Sequence, residues 1–336
     1  MPPSPSAKPV TLRDVAKRAG VSLITASRAL SNPEVVSPAT LEKVQQAVQA
    51  MGYIPNLLAG GLKSRRSMTV AALVPVISVP QFLPTIQSLT QALDAAGYQL
   101  ILGQSGYDRA REAALLDTMV GRRVDAIVVA GLLAHGASTE RLRRLGIPVI
   151  ETWDMTDRPV DTVVGFSQLK VGSAVAGFFL GKGWRRVAVA TANDQRAMQR
   201  REGFLSVLGR EVPTAFVPAP SSVRLGRQAL DDLLRQDPSV EAVFCSSDAL
   251  AEGVMTEARV RGIRVPEDLA ICGFGDADFA DCLAPALSSV HVDGASIGRL
   301  AAEMIVQRCV HGVVPDDRIV DVGFKIVERA STMRAA

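Results

Sequence analysis

The side chains best suited to bind another molecule lie among the first 66 residues. This segment contains nine basic and three acidic residues, which gives it a formal net charge of +6. The basic residues are Lys8, Arg13, Lys17, Arg18, Arg28, Lys43, Lys63, Arg65 and Arg66, and the acidic residues are Asp14, Glu34 and Glu42. The other 270 residues hold 28 basic and 31 acidic side chains, a net charge of −3. Because ammonium and guanidinium groups bind phosphates, this asymmetry indicates a polyanion-binding module joined to a larger unit.

Three helices are predicted in the basic segment. The first covers residues 11–20 and begins with the Thr-x-x-acid arrangement of a helix start at Thr11 and Asp14. The second covers residues 22–30 after a tight turn, and the third covers residues 37–52. Helix spacing alone fits any small bundle equally well. The charge favours a helix-turn-helix, whose second helix lies in the major groove of DNA while basic groups hold phosphates.

Beyond residue 68, short apolar runs alternate with helical patterns. Strands are predicted at 70–76, 99–102, 126–130, 148–151, 186–191, 215–217, 242–245 and 269–273. Helices are predicted at 82–96, 112–120, 171–180, 196–208, 224–235, 249–260 and 295–310. Such alternation is typical of parallel sheets covered on both faces, and four strands on either side of residue 160 predict two doubly wound subdomains. Ligands bind such sheets beyond the carboxyl ends of their strands.

The composition excludes several classes of protein. Of the 336 residues 48% are hydrophobic and 21% are charged, which is typical of a globular chain and excludes disorder over most of its length. Residues 67–93 carry no charge, but three prolines and several glutamines within them argue against a membrane span. Residues 1–9 are rich in proline without an apolar core, so we expect a disordered tail, no secretory signal and a cytoplasmic location.

No residue pattern indicates catalysis. No Gly-x-Gly-x-x-Gly or phosphate-binding loop follows a predicted strand, and His135, His291 and His311 lack the spacing of metal ligands. The four cysteines form no CxxC pair, which is typical of reduced thiols. We therefore expect no enzyme, no metal and no cofactor.

The basic segment resembles the DNA-binding headpiece of LacI-type transcriptional regulators. The resemblance covers residues 10–22 (VTLRDVAKRAGVS), 25–30 (TASRAL) and 53–62 (YIPNLLAGGL). It implies that the second helix reads bases with Leu23, Ile24 and Arg28. Arg28 can donate two hydrogen bonds to guanine, whereas the other two side chains offer only apolar contact, for example to a thymine methyl group.

The resemblance also implies a set of contacts to the DNA backbone. The expected phosphate contacts are Thr11, Ser22, Thr25, Ser27, Asn32 and Tyr53, with Leu12 beside them. For the hydroxyl groups, simple helix capping is the alternative. Residues 56–67 resemble the hinge helix and linker of the family, in which Asn56, Ala59 and Leu62 enter the minor groove. We expect this helix to form only on an operator, because Gly60 and Gly61 disfavour it; an ordinary linker is the alternative.

The larger unit is similar to the effector domain of the same family, which is like a periplasmic sugar-binding protein. The implied domains are the headpiece at 10–55, the hinge and linker at 56–67 and the ligand-binding and dimerisation domain at 68–331. Within the last, one subdomain covers about 68–163 and 292–317, and the other covers about 164–290 and 319–331. The chain is therefore expected to cross between subdomains near residues 163, 290 and 319, and the cleft between them hinges there.

Side chains at strand ends supply the expected effector contacts. The set is Ser78, Phe82, Trp153, Asp154, Phe166, Arg200, Ser247, Asp248 and Asp276. Arg200 matches the arginine that fixes the effector in many relatives, and a guanidinium binds a carboxylate or vicinal hydroxyls with two parallel donors. Asp154 is expected to accept sugar hydroxyls, and Trp153 and Phe82 to pack against the sugar. Phe82 fits a core position equally well, and Asp248 fits a helix cap.

The effector is expected to be a sugar or a sugar acid. The segments WDMT at 153–156 and VGFS at 164–167 are similar to those of repressors that respond to gluconate. Gly275 stands where relatives usually have an acidic effector contact, and its lack of a carboxylate lowers repulsion for an anionic ligand.

The sequence thus predicts a homodimeric repressor of carbohydrate or sugar-acid catabolism genes, released from a palindromic operator by a small molecule such as gluconate. One alternative is a periplasmic-type solute-binding protein for a neutral sugar, which would lack a basic helix-turn-helix. The other is a regulator that its ligand activates for DNA binding.

Overall fold

The computed structural model describes residues 10–54, 66–314 and 317–333. The chain forms two compact units, Met1–Ser67 and Met68–Ala336. The predicted disordered tail lies outside the described residues, and so do Asn56, Ala59 and Leu62 of the predicted hinge helix. The roles assigned to these residues stay predictions.

The first unit is a bundle of three helices in its described part. They are α1 (Leu12–Ala19), α2 (Leu23–Ser31) and α3 (Pro38–Met51). The helix start predicted from the Thr-x-x-acid pattern is present, since the backbone N–H and the hydroxyl of Thr11 both donate to the Asp14 carboxylate, at 2.9 and 2.6 Å. The buried side chains of the bundle are small: Val15, Ala16, Ala26, Ala29, Val44 and Ala47. Small side chains let the three helices approach one another closely.

The first subdomain of the second unit is built on a parallel sheet. Its strands are β1 (Thr69–Val74), β2 (Gln99–Gln104), β3 (Ala126–Ala130), β4 (Val149–Thr152), β5 (Thr162–Gly165) and β11 (Ile319–Asp321). Its helices are α4 (Leu83–Ala95), α5 (Arg109–Gly121), α6 (Ala137–Leu145) and α11 (Gly294–His311). The strand order is β11-β5-β4-β3-β1-β2, and Val70 of β1 lies between Leu100 of β2 and Ala126 of β3.

The second subdomain repeats this architecture. Its strands are β6 (Val187–Ala192), β7 (Thr214–Val217), β8 (Ala242–Cys245), β9 (Ala270–Phe274), β10 (Ser288–His291) and β12 (Lys325–Val327). Its helices are α7 (Gln168–Gly181), α8 (Gln195–Leu208), α9 (Val223–Gln236) and α10 (Asp248–Val260). The order is β12-β10-β9-β8-β6-β7, and β12 runs antiparallel to β10. The two predicted doubly wound subdomains are therefore present.

The chain crosses between the sheets slightly later than the sequence predicts. β5 extends to Gly165 in the first sheet, although residues 164 and 165 were assigned to the second subdomain. Residues 319–321 were also assigned there, but β11 pairs with β5, with Ile319 opposite Val163. The sequence predictions do not include β5, β10, β11, β12 and α6. The four strands have only three or four residues each, which is too short for an apolar pattern to stand out.

A close approach of backbones joins α11 to α4. A Cβ atom added at Gly298 of α11 would lie 2.2 Å from the Thr85 carbonyl oxygen and 2.2 Å from the Ser88 hydroxyl oxygen. The Thr85 hydroxyl donates to the Gly294 carbonyl, at 2.8 Å, and accepts from the Trp153 indole N–H, at 2.9 Å. Helix α11 begins directly after the second crossing, so this contact ties the returning chain to the first subdomain.

Among the described helices, none combines the length and the apolar composition that crossing a lipid bilayer requires.

We expect Gly298→Ala to lower the free energy of unfolding of the second unit by about 1–3 kcal/mol, the usual cost of overpacking. The added methyl group would meet backbone atoms of α4, which cannot turn away as a flexible side chain can. Urea unfolding followed by circular dichroism measures the change.

Gly177→Ala is the matched control, because Gly177 is also helical and has no atom within 4 Å of its added Cβ. Since alanine is the better helix former, the control should gain up to about 1 kcal/mol. Equal effects of the two substitutions would contradict the close packing of α11 on α4.

Candidate functional site

The outward face of α2 presents the predicted base-reading side chains to solvent. Leu23 is 44% exposed and Ile24 is 65% exposed, unusual values for large apolar side chains on a small bundle. Arg28 and Ser27 are exposed on the same face, one turn further along, while Ala26 and Ala29 face the core. The face combines apolar contact with a two-donor guanidinium, the combination that contacts thymine methyl groups and guanine edges.

Several of the predicted phosphate-binding hydroxyls cap helices. The Ser22 hydroxyl accepts from the Thr25 backbone N–H, at 3.1 Å, and lies 2.8 Å from the Thr25 hydroxyl. Thr11 is engaged with Asp14 at the start of α1. The capping alternative therefore applies to these groups, and a phosphate contact made in addition stays a prediction.

The remaining predicted contacts lie around α1, α2 and the end of α3. Ser27 and Asn32 are exposed, Leu12 is half-buried at the first position of α1, and Tyr53 packs against the bundle core. Their contacts with DNA also stay predictions.

A cavity of about 260 Å³ opens at the carboxyl ends of β1 to β4 and at the loop after β6. Its ionisable lining residues are Tyr107, Asp108, Arg109, Glu112, Asp154, Asp194 and Arg196. Burial raises the pKa of Tyr107, Glu112 and Asp154. Because both subdomains contribute polar groups to this cavity, a ligand inside it would contact both.

Arg200 lies beside the cavity and is 4% exposed. Its guanidinium donates to the Gln168 side-chain oxygen and to the Ser246 carbonyl, the latter at 2.9 Å, and lies 3.9 Å from the centroid of the Phe274 ring. Within the described part of the chain its Nε has no hydrogen-bond partner. Burial lowers the pKa of Arg200 to about 10, so the group stays charged at neutral pH. A buried cation with one donor to spare suits an oxygen-rich ligand.

The aromatic residues predicted to contact the effector belong to the core. Phe82 and Trp153 are 1% and 2% exposed, with ring centroids 5.1 Å apart in an edge-to-face contact. Phe166 is fully buried and lies 5.8 Å from Trp153. These rings bury apolar surface where the two sheets meet, so no ring face is open to a sugar here. The core alternative therefore describes Phe82, and the expectation for Trp153 and Phe166 is corrected in the same way.

Asp154 follows directly and does line the cavity. One of its carboxylate oxygens accepts from the Met155 backbone N–H, at 2.8 Å. Trp153 adopts a left-handed backbone, with φ of 64°, which turns the chain so that the indole enters the core while the next side chain faces the cavity.

The acidic side chains of the second subdomain bind the protein itself. Asp248 is 3% exposed, and its carboxylate accepts from the Ser289 hydroxyl, at 2.6 Å, and from the Ala277 backbone N–H, at 2.7 Å. The helix cap of α10 is Ser247, whose hydroxyl accepts from the Leu250 N–H, at 3.3 Å. Both residues thus hold the start of α10 in place, and a further contact with an effector is a prediction.

Asp276 and Ser78 lie apart from the cavity lining. Asp276 pairs with His291, at 2.9 Å, and with Arg329, at 2.7 Å. This cluster joins the loop after β9 to His291 at the end of β10 and to Arg329 shortly after β12. Ser78 is exposed in the segment between β1 and α4.

The sequence analysis missed Arg196, which spans the cleft. It extends from the first turn of α8 and donates to the Ala130 carbonyl at the end of β3, at 3.1 Å, with its guanidinium 5.1 Å from the centre of the Phe82 ring. One sequence signal could have found it, because residues four apart share a helix face and Arg196 precedes Arg200 by four. The cleft thus holds two arginines on one face of one helix.

Comparison with known proteins covers both units. Residues 11–56 match the family model "Bacterial regulatory proteins, lacI family", and residues 176–332 match a "Periplasmic binding protein-like domain". The chain is 36% identical over 331 residues to the HTH-type transcriptional regulator GntR of Pseudomonas aeruginosa, covering 96% of this chain and 95% of that protein.

Two solved structures have the same architecture. A LacI-family transcriptional regulator from Silicibacter pomeroyi superposes with a TM-score of 0.91 at 32% identity, covering 97% of this chain and all of that one. The lac repressor dimer bound to operator superposes with a TM-score of 0.81 over 97% of this chain and all of that one. At 21% identity the second comparison shows the fold alone.

We expect the ionisation of Asp248 to destabilise the fold as the pH rises. Burial raises its pKa from the usual 3.8 to about 6. The folded state therefore binds more protons than the unfolded state between these values, and stability falls as the pH rises through them. Relative to the wild type, Asp248→Asn should gain roughly 2 kcal/mol between pH 4 and pH 7, measured by urea unfolding.

Asp231→Asn is a control with the opposite sign. Hydrogen bonds from Arg261 and Arg235 lower the pKa of Asp231, so its contribution to stability is present above its ordinary pKa and is lost at acid pH. In Asp248→Asn the substitution also changes the hydrogen bonds made at position 248. This second effect shifts the free energy of unfolding of the variant by the same amount at every pH. A constant difference between Asp248→Asn and the wild type would contradict the prediction.

Proposed function

Because the chain belongs to the LacI family of bacterial transcriptional regulators, we propose that it represses genes of carbohydrate or sugar-acid catabolism and leaves its palindromic operator when gluconate or a related sugar acid binds. The chain is a DNA-binding regulator and not an enzyme. Its partners are operator DNA, a small-molecule effector and a second copy of itself. The observation that carries the proposal is the likeness to GntR, which extends over both the headpiece and the effector domain.

The proposed operator contact is made by the exposed face of α2. Two headpieces related by a two-fold axis would place two copies of this face on successive turns of the duplex, which is why the operator is expected to be palindromic. Leu23 and Ile24 would provide apolar contact and Arg28 the directional hydrogen bonds. A solute-binding protein has no use for such a face, so that alternative is set aside.

The proposed effector site is the cavity between the subdomains. Arg196 and Arg109 line it, so two guanidinium groups are available to an anionic ligand, and the buried Arg200 has an Nε without a hydrogen-bond partner in the described residues. Asp154 and Glu112 are available to accept sugar hydroxyls. Gly275 lies outside the lining of this cavity, and a side chain there would approach the Asp248 carboxylate, so packing against Asp248 accounts for the lack of an acid at this position.

Binding in this cavity would couple the two subdomains. The hydrogen bond from Arg196 to the Ala130 carbonyl already crosses from one to the other. A ligand oxygen that competes for this guanidinium changes the contact between subdomains, and a coupling of about 1–3 kcal/mol is typical of allosteric proteins. Release from the operator is the proposed sign of that coupling; stronger operator binding on ligand addition would support the ligand-activated alternative.

We expect Arg28→Ala to weaken discrimination between operator and random DNA. The change removes two donors to one base, worth about 1–3 kcal/mol, while the phosphate contacts remain. Fluorescence anisotropy with operator and scrambled duplexes at several salt concentrations measures both terms. Arg13→Ala, a change of the same charge outside α2, is the control and should leave the ratio of the two affinities intact.

We expect gluconate or another aldonate to stabilise the protein against heat in a panel that also contains neutral hexoses and purines. Arg196→Gln should weaken aldonate binding at least ten-fold, since a hydrogen bond to a charged group contributes about 1.5–3 kcal/mol. Isothermal titration measures the affinity, and operator binding without ligand should persist.

Arg201→Gln is the matched control for that experiment, because Arg201 lies on the same helix but pairs with Glu211 outside the cavity. Its aldonate affinity should equal that of the wild type. Stabilisation by a neutral hexose or a purine in place of the aldonates would contradict the proposed effector.

A further inference from the structure

The starts of the parallel strands of the first sheet form one edge of that sheet, which we call the amino edge. Helices α5, α6 and α11 end at this edge, and six arginines accumulate there: Arg122, Arg123, Arg143, Arg144, Arg308 and Arg318. The carboxylates at the same edge are Asp94, Asp125, Asp161 and Asp317. The amino edge therefore carries an excess of positive charge.

Hydrogen bonds and sequence position place several of these arginines close to the strand starts. Arg308 binds both carboxylate oxygens of Asp161, at 2.6 and 2.7 Å, directly before β5. Arg143 donates to the Val160 carbonyl, at 3.2 Å, and Arg318 immediately precedes β11. The three arginines surround one depression of about 220 Å³. On the far side of β4, residues 122 and 123 lead into β3.

Several of these charges have no partner. Within the described ranges the guanidinium groups of Arg122, Arg123, Arg144 and Arg318 are exposed and make neither a hydrogen bond nor an ion pair. Basic residues at helix ends are common, because they complement the helix dipole. That explanation accounts for the presence of arginines here but not for the lack of ion pairs at four of them, although Asp125 and Asp317 lie near them in the sequence.

The second sheet shows the difference. At its corresponding edge Arg186 pairs with Glu241, at 2.7 Å, and Arg264 pairs with Asp268, at 2.5 Å. Arg261 pairs with two carboxylates in the same way. The two subdomains share one architecture but differ at this edge. The three arginines named in the second subdomain are in ion pairs, whereas four arginines of the first subdomain are not.

The amino edge is also where the chain arrives from the headpiece, because β1 is the first strand of this sheet. Exposed guanidinium groups without ion pairs along one edge attract a polyanion. The five strand spacings of the sheet, each about 4.8 Å, extend roughly 24 Å, which matches about seven base pairs of duplex and exceeds a small anion.

We propose that the amino edge is a second DNA-contacting surface, which binds phosphates of the duplex flanking the operator. It acts without reading bases, because arginine contacts to phosphates carry no sequence information. The headpiece selects the operator, and the amino edge adds affinity that depends on salt and on the length of the flanking DNA.

The test compares the triple variant Arg122→Gln, Arg144→Gln, Arg318→Gln with the wild type in the full-length dimer. Arg123 is not substituted, because its backbone is left-handed, with φ of 56°, and a change there could alter the turn before β3. Operator duplexes that end at the operator and duplexes extended by about one helical turn on each side are titrated between 50 and 200 mM KCl. We expect the wild type to bind the extended duplex more tightly and the variant to lose this gain. On the extended duplex the salt slope of the variant should be less steep by about 1.8 or more, since each lost phosphate contact changes it by about 0.9.

A control with the same change in net charge is Arg111→Gln, Arg158→Gln, Arg224→Gln, which removes three exposed arginines away from the amino edge. It should keep the gain from flanking DNA and the wild-type slope. Equal affinity of the wild type for short and extended duplexes would overturn the proposal, and so would identical salt slopes of the triple variant and its control. Circular dichroism and binding to the short operator show that both variants are folded.

Discussion

A buried guanidinium holds the two sheets together at the floor of the cleft. Arg200 donates to the Ser246 carbonyl after β8 and to Gln168, whose amide in turn donates to the Trp153 carbonyl after β4, at 2.8 Å. Burying a charge costs several kcal/mol unless hydrogen bonds satisfy it, so this chain of contacts is stable only while both sheet ends stay in place. The cleft geometry, the position of Arg196 and the aromatic core behind them all depend on that arrangement.

The same constraint explains how the acidic groups divide their work. On the second subdomain Asp248 is satisfied by backbone and hydroxyl donors, and a Cβ at Gly273 would lie 2.1 Å from its carboxylate, so no side chain fits between them. In the proposed effector site, ligand recognition falls to groups that still have hydrogen-bonding capacity: Asp154 and Glu112 on one side of the cavity and Arg196 on the other. Some polar groups near the cleft thus form hydrogen bonds that hold the protein together, and others retain hydrogen-bonding capacity for a ligand.

Charge is distributed over the molecule by function. The headpiece has few acids, four arginines at the amino edge of the first sheet have no ion pair in the described residues, and Arg186, Arg261 and Arg264 of the second subdomain pair with carboxylates. A net charge of +3 for the whole chain conceals this arrangement.

The sequence by itself determined the helix-turn-helix, the two doubly wound sheets and the family, because these follow from helix caps, apolar runs and a motif that are local in the chain. Only the tertiary structure decided which strand-end residues face the cavity. Phe82, Trp153 and Phe166 follow strands just as Asp154 does, but their rings pack together where the sheets meet, while Arg196 reaches across from another helix. Burial and pairing depend on residues distant in sequence, such as Gly165, whose added Cβ would lie 2.2 Å from the Asp154 carbonyl oxygen. For that physical reason the positions of the strand ends predict where the cavity lies, whereas tertiary packing determines which of the strand-end side chains face it.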